Sequence, residues 1–361
     1  MLAHLYGKEP GANHFISPYS IQTCLTMVRN GAAADTKAEL DKALNLTGNT
    51  DEDVQAGARA LREVFAGDNG VTLETANALW SHKTTPFKAA FVDQQKDIFG
   101  AEVSSLDFSS PETLEKINGW CNEKTHGKIP KILEEIRPDL LMVLANAIYF
   151  KGTWEDEFDK KLTKKEDFTT PDGKVVQADF MRRSDSVQGL ERDDLMAISL
   201  PYKGGKTSML LMLPAKGADM AKFVAGMTPE FVATVRSELR HKNDNASISF
   251  PKFKVERTYD LIPAFQEAGV KQAFTPSANF SLMGDVKPLF IGFIIHKTFV
   301  EVNEEGTEAA AVTATGMCGG AAPRPQKPFV FKADRPFAYA IIHNDTGAVM
   351  FQGILNDPTA K

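Results

Sequence analysis

Apolar residues recur at helical spacing through the first third of the chain and at strand spacing through much of the rest. From Ser20 to about Leu44, the residues Ile21, Leu25, Met27, Leu40 and Leu44 share apolar faces and predict helix, interrupted at Gly31. Asp53 to Phe65 is amphipathic, Phe91 to Phe99 reads as a short helix, and Pro111 to Thr125 reads as a helix capped by Ser109 or Ser110 and ending near Gly127. Strands are expected at Thr72 to Trp80, Leu141 to Phe150, Leu195 to Leu200, Ser208 to Leu213, Ala246 to Phe250 and Ile291 to Val302. Two more, Phe337 to His343 and Ala348 to Leu355, flank a hairpin turn at Asn344-Asp345-Thr346-Gly347. Helices gather early and strands late, so the pattern predicts an α+β fold rather than alternating βαβ units. No internal repeat and no charged or low-complexity linker divides the 361 residues, so one large domain over residues 1–361 is expected.

One stretch reads as strand and loop at once. Between Asn303 and Thr315, Val312, Thr313 and Thr315 favour β structure, the alanines fit anywhere, and Glu308 is the only charge after Gly306. The run from Gly316 to Pro328 cannot continue a ladder: Gly319 and Gly320 add chain freedom, and Pro323, Pro325 and Pro328 lack the amide hydrogen a central strand must donate. Taken alone, the Asn303–Thr315 residues also fit an Ala/Thr linker, or a short helix capped by Thr307 with Glu308 in its first turn. A segment able to become a strand, tethered to one that must stay a loop, points to a conformational switch.

Composition narrows the function classes. With 43% hydrophobic residues the chain can bury a sizeable core. A formal charge of −6 argues against general nucleic-acid affinity, and no basic run stands out for heparin or an anionic membrane. No apolar run approaches the roughly twenty residues that span a bilayer, and Met1 to Tyr6 lacks the basic start and apolar core of a signal peptide. Cys24, Cys121 and Cys318 are odd in number and share no short spacing, so neither a disulfide framework nor a zinc site is indicated. Gly204-Gly205-Lys206-Thr207 ends like a phosphate-binding loop, but Leu200 stands where its first glycine belongs. No Gly-x-Ser-x-Gly, His-Glu-x-x-His or Cys-x-x-Cys occurs. No metal or cofactor is therefore indicated, and the enzyme reading is left only a triad that folding could assemble from the seven histidines and the many carboxylates.

Six motifs in order carry a family resemblance. They are Asn13-His14-Phe15-Ile16-Ser17-Pro18-Tyr19-Ser20-Ile21; Leu144-Ala145-Asn146-Ala147-Ile148-Tyr149-Phe150-Lys151-Gly152-Thr153-Trp154; Leu200-Pro201-Tyr202-Lys203-Gly204 leading to Ser208-Met209-Leu210-Leu211-Met212-Leu213-Pro214; Glu304-Glu305-Gly306-Thr307-Glu308-Ala309-Ala310-Ala311 after His296-Lys297; Asp334-Arg335-Pro336-Phe337; and Gly347 to Pro358. From about Asn13 to Pro358 the chain resembles a serpin, the serine protease inhibitor family. It departs at Glu157, where relatives often have proline, and at Ala178-Asp179-Phe180-Met181, where Val-Pro-Met-Met is usual.

The resemblance implies a single domain with three β-sheets, about eight or nine helices and an exposed reactive-centre loop at about 304–328. It implies a monomeric inhibitor that traps a serine protease as a covalent acyl-enzyme by inserting the cleaved loop into the central sheet. The hinge would be Glu304, Glu305, Gly306, Thr307, Glu308, Ala309, Ala310, Ala311, Val312 and Thr313. Ser17, Ser20, Asn146 and His296 match the polar cluster beneath the opening strands, called the shutter; each also reads as an ordinary buried polar residue. Trp154, Lys252 and Glu304 match the breach, where insertion begins. Family spacing from Gly306 places the cleaved bond at Gly320–Ala321, with Gly319, Met317 and Arg324 as alternatives. A small residue there suits an elastase-like or subtilisin-like protease, whereas a trypsin-like pocket demands Arg or Lys. The alternatives are a noninhibitory binding or chaperone protein and an inhibitor of papain-like cysteine proteases, the latter prompted by Cys318. The family prior for location is extracellular, with cytoplasmic as the alternative.

Overall fold

The alternating and continuous apolar runs become two large sheets packed around one nearly all-buried helix. The computed structural model describes residues 1–67, 70–307 and 328–360. The chain opens with α1 (Leu2–Lys8), β1 (His14–Ile16), α2 (Pro18–Gly31), α3 (Ala34–Ala43) and α4 (Asp51–Ala66). It continues through β2 (Val71–His82), α5 (Ala89–Phe99), β3 (Glu102–Leu106) and α6 (Pro111–Lys124) to β4 (Met142–Thr153). Next come β5 (Lys164–Thr169), β6 (Val175–Glu191), β7 (Leu195–Pro201), β8 (Thr207–Pro214), α7 (Met220–Ala225) and α8 (Pro229–Glu238). The last third holds β9 (Arg240–Pro251), β10 (Phe253–Asp260), α9 (Ile262–Glu267), β11 (Phe293–Asn303), the two-residue β12 (Gly306–Thr307), β13 (Val330–Lys332), β14 (Phe337–His343) and β15 (Val349–Leu355).

Local chemistry sets the helix boundaries. The Ser17 hydroxyl accepts from the Ser20 amide and Pro18 occupies the first turn, so α2 begins where a cap and a preset φ coincide. It ends at Gly31, where the side chains of Met283 and Phe91 leave no room for a Cβ, and Ala32 turns to extended backbone. The helical stretch expected from Ser20 to about Leu44, interrupted at Gly31, is thus two helices, α2 and α3, which break at that glycine. Thr50 and Asp53 form a reciprocal capping box that starts α4 at Asp51, two residues before the apolar pattern begins. In α6, Ser110 takes the N-cap position without a side-chain bond and Pro111 opens the helix, which stops at Lys124.

The six-stranded sheet runs β10, β11, β12, β4, β2, β3, and β11 also pairs directly with β4. The nine-stranded sheet runs β1, β15, β14, β8, β7, β6, β9, β13, with β5 on the side of β6. Counted by hydrogen bonds, the three expected sheets are therefore two. The 17-residue β6 joins what would otherwise be separate sheets: its first half pairs with β5, its last residues pair with β7, and β9 runs along it through an irregularity between Asp185 and Val187. Polar residues Arg182 to Asp185 inside β6 hid this strand from the apolar pattern. Nine α-helices and two single-turn 3-10 helices are present among the described residues.

α2 lies between the sheets, burying Tyr19, Ile21, Cys24, Leu25, Met27 and Val28. On the outer side of the six-stranded sheet, α6 covers Val143, Ala145 and Ala147 of β4 with Ile117 and Cys121. Gly353 of β15 lies under the Tyr339 ring of β14 and against the backbone of β1, so that a Cβ on it would lie 2.4 Å from Tyr339 Cζ and 2.5 Å from the His14 carbonyl oxygen. Gly353→Ala is expected to destabilise the protein by about 1–3 kcal/mol through overpacking, read as a lowered urea unfolding midpoint.

Candidate functional site

Two strands distant in sequence define the site. β4 and β11 run parallel and pair with each other from Val143 opposite Phe293 to Ile148 opposite Thr298. Above Ile148 they part, and β12 fills the gap, antiparallel to both. Thr307 stands between Gly152 and Val302, and Gly306 between Thr153 and Asn303. Gly306 has φ of 149°, and a Cβ there would lie 2.0 Å from the Gly152 carbonyl oxygen, so glycine alone fits. The side chain of Thr307 is fully buried, and its hydroxyl lies 2.8 Å from that of Tyr202.

The wedge at the top is lined by aromatic rings and closed by buried charge. Trp154 stacks on Tyr202 with centroids 4.6 Å apart and donates through Nε1 to the Asn303 carbonyl at 3.0 Å. The Trp154 amide donates to the Glu305 carbonyl and the Phe158 amide to the Glu304 carbonyl, at 2.9 and 2.8 Å. The Glu304 carboxylate, 3% exposed, receives the Thr163 hydroxyl at 2.7 Å and pairs with Lys252 Nζ at 3.1 Å. Burial works to raise this carboxyl, but Thr163 and Lys252 outweigh it and hold the group below its ordinary value. Glu305 pairs with Lys160. The segment from Trp154 to Thr163 thus binds both residues that precede Gly306.

Lower down, a polar chain crosses the closed part of the seam on its inner face. The Ser17 amide donates to His296 Nε2 at 3.1 Å, which leaves Nδ1 protonated to donate to Asn146 Oδ1 at 2.7 Å. Asn146 Nδ2 donates to Asn77 Oδ1 at 2.7 Å and to the Ser20 hydroxyl. Ser17 Oγ donates to the Met350 carbonyl at 2.6 Å. One hydrogen-bonded chain therefore links β4, β11, β2 and the start of α2 to the second sheet.

The family model described as Serpin (serine protease inhibitor) matches residues 1–358. The chain belongs to the serpin family. It is 36% identical to Serpin B8 of Bos taurus, over 99% of this chain and 96% of that protein. It is 34% identical to the leukocyte elastase inhibitor of Sus scrofa, over 97% of this chain and 94% of that protein. The crystal structure of the thermophilic serpin tengpin in its native state superposes with a TM-score of 0.88 at 29% identity, covering 96% of this chain and 88% of that one. Serpins inhibit proteases and catalyse no reaction of their own, so this chain is not an enzyme.

In this serpin, the fold brings Ser17, Ser20, Asn146 and His296 into one chain of bonds, and Trp154, Lys252 and Glu304 into the wedge around Gly306. Hinge residues Glu308 to Thr313, the Gly320–Ala321 bond, its alternatives Gly319, Met317 and Arg324, and Cys318 lie outside the described residues. Four participants escaped the sequence reading: Tyr202, Asn77, Thr163 and Lys160. Asn77 carried a signal, a lone amide in the middle of the Thr72–Trp80 strand. Tyr202 stood inside one of the six motifs without a role. Thr163 and Lys160 look like ordinary surface residues until the chain folds.

Burial lowers the His296 imidazole from its usual 6.5 to about 3, because a second ring proton would be buried and would point at the Ser17 amide donor. Between those two values the unfolded chain binds a proton that the folded one does not, so this residue costs stability as pH falls. The loss is about 1.4 kcal/mol for each pH unit inside that window. Unfolding midpoints measured from pH 7 to pH 4 are expected to fall more steeply for the parent than for His296→Gln; equal slopes would remove His296 as the cause.

Proposed function

We propose that this serpin is a suicide-substrate inhibitor of serine proteases, trapping its target by inserting the cleaved reactive-centre loop between β4 and β11. The observation that carries this reading is β12: Gly306 and Thr307, near the start of the loop expected to be exposed from about residue 304, are buried and already sit in the gap between those strands. Its register can be extended. Thr307 faces Gly152 and Val302; six positions further along each strand, residue 313 would stand between Asn146 and His296, which are partners of each other in the closed seam. Insertion would therefore replace the Asn146–His296 bond with contacts to Thr313, a small side chain with a hydroxyl to offer.

Alternation sorts the remaining side chains. Thr307, Ala309, Ala311, Thr313 and Thr315 would enter the inner face, where Thr307 already meets Tyr202. Glu308, Ala310, Val312 and Ala314 would face outward. All members of the inner set are small, so none would force the packed strands apart or bury an unpaired charge.

The chemistry up to cleavage is that of any substrate. The protease serine attacks the Gly320 carbonyl, the Ala321 amine leaves, and Gly320 remains as an ester on the enzyme. The same register carries residue 317 to Met142, the lower end of β4, with three residues left before the bond. Fourteen residues from Thr307 to Gly320 extend nearly 50 Å at about 3.4 Å each, so the attached protease would be drawn to the opposite pole. Distorting its oxyanion hole there slows deacylation, and inhibition becomes a race between insertion and hydrolysis. A small residue at Gly320 fits an elastase-like or subtilisin-like pocket, in keeping with the leukocyte elastase inhibitor among the relatives.

Incubation with an elastase, a subtilisin, a chymotrypsin and a trypsin, read by denaturing gel and intact mass, is expected to give a stable complex with the first two. The released C-terminal peptide is expected to begin at Ala321. Cleavage by all that attack the loop, with no complex and fully active protease, would overturn the reading. Thr307→Arg places a charge against Tyr202 and is expected to turn inhibitor into substrate, seen as a several-fold rise in the inhibitor molecules consumed per protease trapped.

A further inference from the structure

At the end of the nine-stranded sheet opposite the β14–β15 hairpin, five segments of chain surround a cleft of about 980 Å³. Small-molecule sites span roughly 300–1,000 Å³. The α1–β1 connection contributes Pro10, the β5–β6 turn Pro171, the end of β8 Pro214 and the β13–β14 connection Pro336, while Asp357 beyond β15 closes the fifth side. Each proline fixes its own φ, so these walls have little freedom to collapse. They are also tied together. The Thr169 amide donates to the Asp334 carbonyl at 2.9 Å, and Arg335 Nε and Nη2 donate to the Pro214 carbonyl at 3.2 and 2.8 Å. The cleft is therefore formed before anything enters it, which keeps the ordering cost of a ligand low.

What the cleft can hold follows from which of its polar groups still have a bond to give. Of the guanidinium N–H groups of Arg335, two go to Pro214 and one, on Nη1, goes to Asp334 at 3.0 Å, which leaves one unspent on each terminal nitrogen. The side chain is a quarter exposed and lines the cleft, so those donors are open to it. Lys216, two residues beyond the carbonyl that Arg335 holds, is exposed on the same wall and forms no ion pair among the described residues. The carboxylates of the cleft already receive bonds: Asp172 from the Thr170 hydroxyl, Asp219 from the Lys222 amide, Asp334 from Arg335 and Asp357 from the Thr359 hydroxyl. They offset the cations in formal charge, so no long-range field draws an anion in, and selection falls to the unspent donors. The remaining surface is apolar, from the prolines, Tyr6 and Met220.

We infer that this cleft binds an amphipathic carboxylate, a molecule with one acid group and a long apolar body, its acid group held by Arg335 and Lys216 and its body laid along the prolines, Tyr6 and Met220. Charge-assisted bonds from a guanidinium suit a carboxylate, and the apolar body removes the facing surface from water. No residue of the β4–β11 seam lines the cleft, so the inference is independent of the inhibition proposed above.

The test is calorimetric titration of the full chain with dodecanoate, dodecanol and dodecylammonium, each kept below the concentration at which it forms micelles. Dodecanoate is expected to bind one to one, about tenfold tighter than either of the others, since only it completes the bonds to Arg335. Arg335→Gln is expected to weaken dodecanoate about tenfold and to leave dodecanol unchanged. Lys216→Gln, at an exposed position, is expected to weaken dodecanoate about threefold. Ala221→Trp places a large ring in the cleft from an exposed position of α7 and is expected to abolish binding. Because Arg335 also braces Pro214, its variant can fail to fold; the lysine and alanine variants then carry the test. Equal affinity for the acid and the alcohol, tighter binding of the ammonium, parent-like binding by Ala221→Trp, or no saturable binding of dodecanoate by the parent would each overturn the proposal.

Discussion

Everything in this structure turns on six residue pairs, Val143 to Ile148 of β4 with Phe293 to Thr298 of β11. Both strands are internal, buried on two faces, and would ordinarily be the most permanent part of a sheet. Yet they part at one end, where among the described residues the two-residue β12 fills the gap. The ladder is closed where the polar chain crosses it and open where Trp154 and Tyr202 line it. That arrangement gives a sheet a direction in which to open.

The three groups around the seam act on it differently. Below, on the inner face, Asn146 and His296 join the two strands by a bond between side chains that could accept another polar partner in its place. A wholly apolar seam would offer an entering threonine no hydrogen bond. At the top, Gly306 lets its backbone approach the Gly152 carbonyl without a Cβ between them, Gly152 leaves room for the Tyr202 ring, and the buried Glu304 carboxylate, paired with the more exposed Lys252, anchors the chain leading into the turn. On the outer face, the apolar layer of α6 and its connection covers the strands. Inner chain, upper wedge and outer layer all border one set of hydrogen bonds.

Much of this was legible in one dimension. The apolar runs of β4, β8, β11, β14 and β15 were each apparent, as were the helices α2, α4, α5 and α6. Strands with a strong polar component were not: β6 carries Arg182, Arg183, Ser184 and Asp185 in its middle, and β5 begins with two lysines, because both face solvent for part of their length. The alternation Phe253, Val255, Tyr259 in β10 was present in the sequence and passed over. Among the residues that the fold gathers at the seam, Ser17, Asn146, His296 and Trp154 stood in motifs, whereas Thr163 and Lys160 had no local signal at all.

The sequence by itself determined the family, the α+β class, and the run of small residues that follows the glycine at position 306. These are properties of adjacent residues, which motif and period record directly. Only the tertiary structure decided what those residues face. That β4 pairs with β11, 150 positions away, and that Gly306 must be glycine because of the Gly152 carbonyl are facts about distant segments. No local pattern encodes them, because each depends on which surfaces the whole chain brings together when it buries its apolar faces.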